Sequence, residues 1–283
     1  MINVKVLIYE RFRNQIEVFL NSFKKVNVSK DINYEFLIVS VSEKPKEIDG
    51  CICEQLQSYN GNYRFSFLKK IDDILNSDAD LLLIADDRCF CRNSIDALLI
   101  NLNSSIVNWQ LCGSPVDPMF DVNLLQDYCV PLKSAFVYLD GGFLILNCKT
   151  VPKGLAELAD DLLPSDVQLY TDRVVLNIAC DQKIALNKLF CNGLFNIFYF
   201  NYDVVLFDIY RTDANHTPDT FDESFIFLSE YRDVVTDKNL LKEIKKLMKQ
   251  TPPEYQLQQI ISDRLIQKQY LYNKYDELNI NEE

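Results

Sequence analysis

The chain has 283 residues, 48% hydrophobic and 25% charged, which suits an ordinary soluble globular protein of one large or two modest domains. A net charge of -12 argues against a nucleic-acid groove, because phosphate backbones are bound by clustered Lys and Arg. No apolar stretch reaches the roughly 18 residues of a membrane span, and Met1 to Leu7 reads as a first strand rather than a signal peptide, so the expected location is cytoplasmic.

Val4 to Tyr9 is a β-rich run, and Asn14 to Val26 places Ile16, Phe19, Leu20 and Phe23 at helical spacing, a β-α opening. Tyr34 to Ser40 reads as a second strand, followed by a polar loop rich in Glu, Lys and Pro. Phe65 to Leu75 repeats the helical pattern. Asp80 to Arg88 is then a short apolar run that ends in Asp86 and Asp87. Such a run suits a strand buried on both faces, delivering its end to the carboxyl edge of a sheet, where open α/β sheets bind ligands. Two adjacent anions repel unless a divalent cation or a base lies beside them; a solvated turn ahead of a helix from about Ile95 to Leu102, capped by Asn93 or Ser94, is the alternative.

Another helix is expected after that turn, then a strand from Ser105 to Cys112 carrying Trp109. Ala135 to Tyr138 and Phe143 to Asn147 are apolar runs interrupted by Asp140-Gly141-Gly142. In a chain with only seven glycines, that pair marks either a tight turn or a place where a ligand approaches the backbone. Leu155 to Leu163 and Asp172 to Ala179 look helical, Ile184 to Leu186 is a short strand, and Val204 to Ile209 is a strong one. A polar loop then holds His216, the single histidine of the chain, placed either as a structural residue or as a ligand projecting into a cleft. Strands alternating with helices imply α/β architecture with a mostly parallel sheet.

From Asp237 the composition shifts to Lys, Gln, Leu and Ile, with helical stripes on either side of Pro252-Pro253. The expected organisation is a domain over 1–236 and a helical extension over 237–283. That extension either packs on the main domain or makes peripheral membrane contact. Nine cysteines, an odd number, read as reduced thiols. Cys51/Cys53 and Cys89/Cys91 depart from zinc-site spacing and are expected on one face of extended chain.

Four pieces in order resemble glycosyltransferase family 8, the class that includes glycogenin and bacterial lipopolysaccharide galactosyl- and glucosyltransferases. They are the strand ending in Asp86-Asp87, Leu139 to Asn147 around Asp140-Gly141-Gly142, Asp172 to Asn177, and His216 after a late strand. The resemblance covers about residues 1 to 225. Several positions depart from it. With Asp87 in the second acidic place, Ala85 occupies the first; Asp140 replaces an asparagine, Arg173 a glutamine and Val174 an acid; and Thr217-Pro218-Asp219 stands where the family has Lys-Pro-Trp.

The resemblance implies a GT-A-type single Rossmann-like domain with a C-terminal helical appendage. It also implies a retaining, metal-dependent transfer of a hexose from a UDP-sugar to a glycan, lipid-glycan or protein acceptor. Asp87, Asp86 and His216 would hold Mn²⁺ or Mg²⁺, and Asp172 and Asp140 would contact the donor sugar beside Gly141 and Gly142. Tyr9 and Arg11 fall where the family binds base and ribose, although Tyr9 is equally a core residue. Lys69 falls near a basic residue of the sugar and phosphate region, or on a solvated helix face. A degenerate transferase fold acting as a binding or scaffold protein is the alternative, and a two-carboxylate glycoside hydrolase is a third class for which no carboxylate pair is specified.

Overall fold

The computed structural model describes residues 1–10, 16–41, 47–58, 63–86, 89–91, 94–105, 109–115, 139–162, 171–180, 184–186 and 197–199, with Thr236, Lys238, Leu241, Lys242 and Lys245. These form β1 (Ile2–Glu10), α1 (Ile16–Val26), β2 (Ile32–Ser40), β3 (Cys51–Gln55), α2 (Tyr63–Leu75), β4 (Leu81–Asp86), β5 (Cys89–Cys91) and α3 (Asp96–Ser104). There follow β6 (Leu111–Pro115), β7 (Leu139–Asn147), α4 (Leu155–Leu162), α5 (Thr171–Ala179), β8 (Ile184–Leu186) and β9 (Ile197–Tyr199).

Seven strands make one sheet in the order β3-β2-β1-β4-β7-β6-β8, and β5 pairs with β9 in a second, two-stranded sheet. β1 runs parallel to β2 and β4, β2 to β3, and β6 to β8, whereas β7 is antiparallel to both its neighbours. The architecture is α/β with a mostly parallel sheet, as the alternation of patterns implied.

Alternate residues of the central strands feed two separate cores. Val4, Val6 and Ile8 of β1 pack with Phe19 and Phe23 of α1 and with Leu98 and Leu99 of α3. Leu7 packs on the other face with Phe67, Leu68 and Ile71 of α2, Ala159 of α4 and Val175 of α5, and Tyr9 lies against the same cluster. The two faces follow from the strand order. The β1-α1-β2 crossover moves outward in one direction and β3-α2-β4 returns in the other. With right-handed crossovers, that reversal puts α1 and α2 on opposite sides.

Polar side chains fasten these layers. Both carboxylate oxygens of Asp72 on α2 accept from the first backbone N–H groups of α4: Gly154 at 2.9 Å and Leu155 at 3.0 Å on one oxygen, Ala156 at 3.1 Å on the other. A carboxylate from a neighbouring helix thus satisfies donors that no residue inside α4 can reach. Asp96, the first residue of α3, accepts from the N–H groups of Val28 and Ser29 and from the Tyr34 hydroxyl at 2.6 Å.

Several expectations are corrected. Asp140-Gly141-Gly142 form no turn between two strands: they lie inside β7. The expected Ser105 to Cys112 strand is replaced by β6 at Leu111–Pro115, and Trp109 precedes it. The Trp109 indole N–H donates to the Leu102 carbonyl at 2.9 Å, so its buried donor is satisfied by the end of α3. β5 intervenes before the helix expected after Asp87. The loop read as polar contains β3, whose Cys51 and Cys53 share the face that packs beside the α1 core. Helix α3 is capped from outside, because the Asn27 amide oxygen accepts from Ile95 N–H at 2.8 Å, while Ser94 Oγ accepts from Asp96 N–H at 3.1 Å. Ala135 to Tyr138, Val204 to Ile209 and most of 237–283 lie outside the described residues.

Candidate active site

The sheet reverses its winding between β1 and β4. In a doubly wound sheet a crevice opens outside the carboxyl ends of the strands at such a point. Here those ends are paired, Tyr9 opposite Asp86. β7 arrives antiparallel, so its first residues reach the same edge: its register with β4 runs to Ala85 opposite Phe143, and Asp86 and Gly142 come next on each strand. Asp86, Asp140, Gly141 and Gly142 therefore share one sheet edge with Tyr9 and Glu10 through backbone pairing alone.

Two helices add side chains at this edge. α2 starts there after β3, with Arg64 in its first turn, and α5 starts there with Asp172 in its first turn, where the helix N-terminus favours a negative charge. Arg64 Nη1 lies 3.2 Å from Asp172 Oδ1 and donates a hydrogen bond to Oδ2 at 3.4 Å. The side chains are 14% and 12% exposed, so the pair is largely withdrawn from water. Asp172 Oδ1 is buried and, among the described residues, accepts no hydrogen bond. A carboxylate oxygen of this kind is ion-paired yet retains unused acceptor capacity, an uncommon condition for a buried group.

The Arg64 guanidinium lies over the Tyr9 ring, 4.9 Å from its centroid, and the Phe67 ring meets Tyr9 edge-on at 5.4 Å. Tyr9, Arg64 and Asp172 are thus one contiguous cluster drawn from β1, α2 and α5. Asn177, one turn and a half further along α5, fixes that helix to the sheet. Its amide oxygen accepts from Leu139 N–H at 2.7 Å and its amide nitrogen donates to the Leu139 carbonyl at 3.0 Å. The same nitrogen donates to the Arg173 carbonyl at 2.9 Å. Since Leu139 immediately precedes Asp140, this clamp sets the start of β7 against the start of α5.

Of the residues singled out by sequence, Tyr9 and Asp172 come together through Arg64, and the backbones of Asp86, Asp140, Gly141 and Gly142 lie along the same edge. Lys69 is exposed, five residues beyond Arg64 and so about 7.5 Å further along the α2 axis. Arg11, Asp87 and His216 lie outside the described residues. Among the described residues no group of three or more His, Cys, Asp or Glu side chains could hold a metal ion. Sequence reasoning missed Arg64, which a first-turn basic residue in a helix without first-turn acids could have flagged. It also missed Glu10, 4% exposed at the end of β1 beside the switch point.

No family model matches the sequence, and no curated protein sequence matches it. Similar solved structures include the galactosyltransferase LgtC in complex with donor and acceptor sugar analogues, at 15% identity over 79% of this chain and 82% of that one, with a TM-score of 0.47. Mouse xyloside xylosyltransferase 1 in its apo form is similar at 10% identity over 78% of this chain and 99% of that one, TM-score 0.42. The apo bifunctional glycosyltransferase WbbM is similar at 10% identity over 87% of this chain and 51% of that one, TM-score 0.47. Likeness at this level assigns no residue a role.

Proposed function

We propose that this chain is a retaining glycosyltransferase that moves a hexose from a UDP-sugar to a glycan, lipid-glycan or protein acceptor. The observation that carries the reading is the Asp172 carboxylate: buried, ion-paired to Arg64, and left with an oxygen that accepts no hydrogen bond among the described residues, at the switch point of the sheet. A sugar hydroxyl is the kind of donor such an oxygen takes. The order of the four sequence pieces supports the same reading.

In this reading Asp172 and Asp140 orient the donor sugar, and Gly141 and Gly142 leave room for it along β7. Asp87, Asp86 and His216 are the residues proposed to hold a divalent cation. Carboxylate oxygens suit Mg²⁺ or Mn²⁺, and the imidazole tips the set toward Mn²⁺. When bound, such an ion offsets the negative charge growing on a departing diphosphate. Arg64 holds the Asp172 carboxylate in place through their ion pair. Tyr9, with Arg11 and Glu10, borders the place for the nucleoside, and Lys69 is proposed only as a peripheral contact to the phosphates. The work of the chain is to bind and orient donor and acceptor and to exclude water around the reaction.

The test is a screen of nucleotide sugars for Mn²⁺-dependent release of free nucleotide. UDP with Mn²⁺ at about 100 times its dissociation constant is expected to stabilise the fold by roughly 2.7 kcal/mol, read as a rise in Tm. Asp172→Asn is expected to lower kcat/KM about 30-fold, as a hydrogen bond to a charged group is lost. Asp87→Ala is expected to abolish release. A degenerate transferase fold acting as a binding or scaffold protein without catalysis is the second reading, favoured by Thr217-Pro218-Asp219 in place of Lys-Pro-Trp. Absence of nucleotide release selects it, and absence of a thermal shift across UDP-, GDP- and CMP-sugars favours it further.

A further inference from the structure

Arg64 stands where a cation is poorly placed. It is the second residue of α2, at the helix end that carries partial positive charge, and no acidic residue of that first turn offsets it. Its position therefore depends on partners from other elements. Asp172, 108 residues away, supplies the charge. Tyr9 supplies a surface: its ring lies 4.9 Å from the guanidinium carbon and is itself braced by the Phe67 edge at an interplanar angle of 80°.

We propose that Tyr9 is a positioning residue, whose ring face holds the Arg64 guanidinium so that one nitrogen, Nη1, meets both carboxylate oxygens of Asp172, 3.2 Å from Oδ1 and 3.4 Å from Oδ2, while Oδ1 accepts no hydrogen bond among the described residues. A planar guanidinium stacked on an aromatic face loses little further freedom when it pairs with a carboxylate, so the ring prepays the ordering of the pair. The Tyr9 face that meets Arg64 is then occupied, and a nucleobase stacks elsewhere. The kinetic part of this inference rests on the transferase reading; the structural part does not.

The test replaces Tyr9 with phenylalanine and then with mono-, di- and trifluorinated phenylalanine. This series weakens the negative ring face while keeping its shape. Two quantities are read on each full-length variant: the rotation rate of the Arg64 guanidinium by NMR, assigned by its absence in Arg64→Lys, and kcat with KM for the UDP-sugar. Relative to Tyr9→Phe, the trifluorinated ring is expected to speed rotation and lower kcat about tenfold with KM steady.

Rotation and kcat that stay flat across the series overturn the proposal. A graded rotation rate in a protein that turns over no nucleotide sugar sinks the transferase reading and leaves Tyr9 as the support of Arg64. Turnover with a flat rotation rate does the reverse. The isosteric ring guards against a folding defect, and an unchanged Tm across the series verifies that guard.

Discussion

Arg64 and Asp172 illustrate what a single buried pair demands of its surroundings. Removing one partner leaves the other charge in a site that is 12% to 14% exposed, so Arg64→Met is expected to cost about 3 kcal/mol of stability in urea denaturation. Arg64→Met combined with Asp172→Leu is expected to recover most of that loss, because no uncompensated charge remains. If the double variant is less stable than Arg64→Met alone, the penalty comes from lost packing of the arginine stem rather than from charge. Burial is the largest influence on the thiols. Desolvation pushes Cys112, Cys148 and Cys180 up to about 12 and Cys91 well above its ordinary value. Cys51, half-buried on β3, is raised as well, first by burial and then against the opposing pull of Lys24. With a thiol reagent on the folded protein, Cys51 and Cys53 are expected to react well before these four, and mass mapping of the modified peptides checks the order.

Helices in this chain are seated by side chains from other elements. Asp72 holds the N-terminus of α4 through Gly154, Leu155 and Ala156. Asp72→Ala is expected to lower stability by about 2 kcal/mol, near the upper end for a lost cap, since several backbone donors lose their partner together. Gly154 has φ +80, a left-handed value that side chains resist, and an added Cβ would lie 3.2 Å from Glu157 Oε2. Gly154→Ala is therefore expected to destabilise the same junction, with a lowered urea midpoint at unchanged slope. Asn177 plays the corresponding part for α5, and its loss would move the starts of α5 and β7 apart, carrying Asp172 away from Asp140.

Across the whole molecule the two edges of the sheet have different duties. At the amino edge Asp80 joins β1, β4 and the end of β7: its carboxylate accepts from Asn3 N–H at 3.0 Å and pairs with Lys149 at 2.9 Å, and its carbonyl accepts from Cys148 N–H. Burial pushes the Asp80 carboxyl up, but the hydrogen bonds from Asn3 and Lys149 outweigh it and leave the group below its ordinary 3.8. A carboxyl held lower in the folded protein than in the unfolded chain stabilises the fold above that ordinary value, and the benefit fades as pH falls through the folded one. Asp80→Asn is therefore expected to unfold more readily than the native protein at pH 7, with the difference shrinking below about pH 4. Its thermal shift on adding UDP with Mn²⁺ is expected to equal that of the native protein, because Asp80 lies at the end of β4 opposite the candidate site.

Hydrophobic periodicity already determined the main α/β alternation, since β1, β2, β4 and the helices α1, α2, α4 and α5 each present a face that must be buried. The acidic end of β4 and the first turn of α5 were legible for the same local reason: an apolar run stops at charged residues, and a helix begins at an acid. What the sequence could not hold was anything set by pairing at a distance. Whether Asp140-Gly141-Gly142 turn or extend depended on β4 and β6 lying on either side of them. Trp109 took its acceptor from the end of α3 rather than from a strand. Above all, the meeting of Tyr9, Arg64 and Asp172 exists only because the winding of the sheet reverses between β1 and β4. Three side chains from distant parts of the chain are thereby brought to one edge, where the Arg64–Asp172 ion pair lies largely withdrawn from water against the Tyr9 ring.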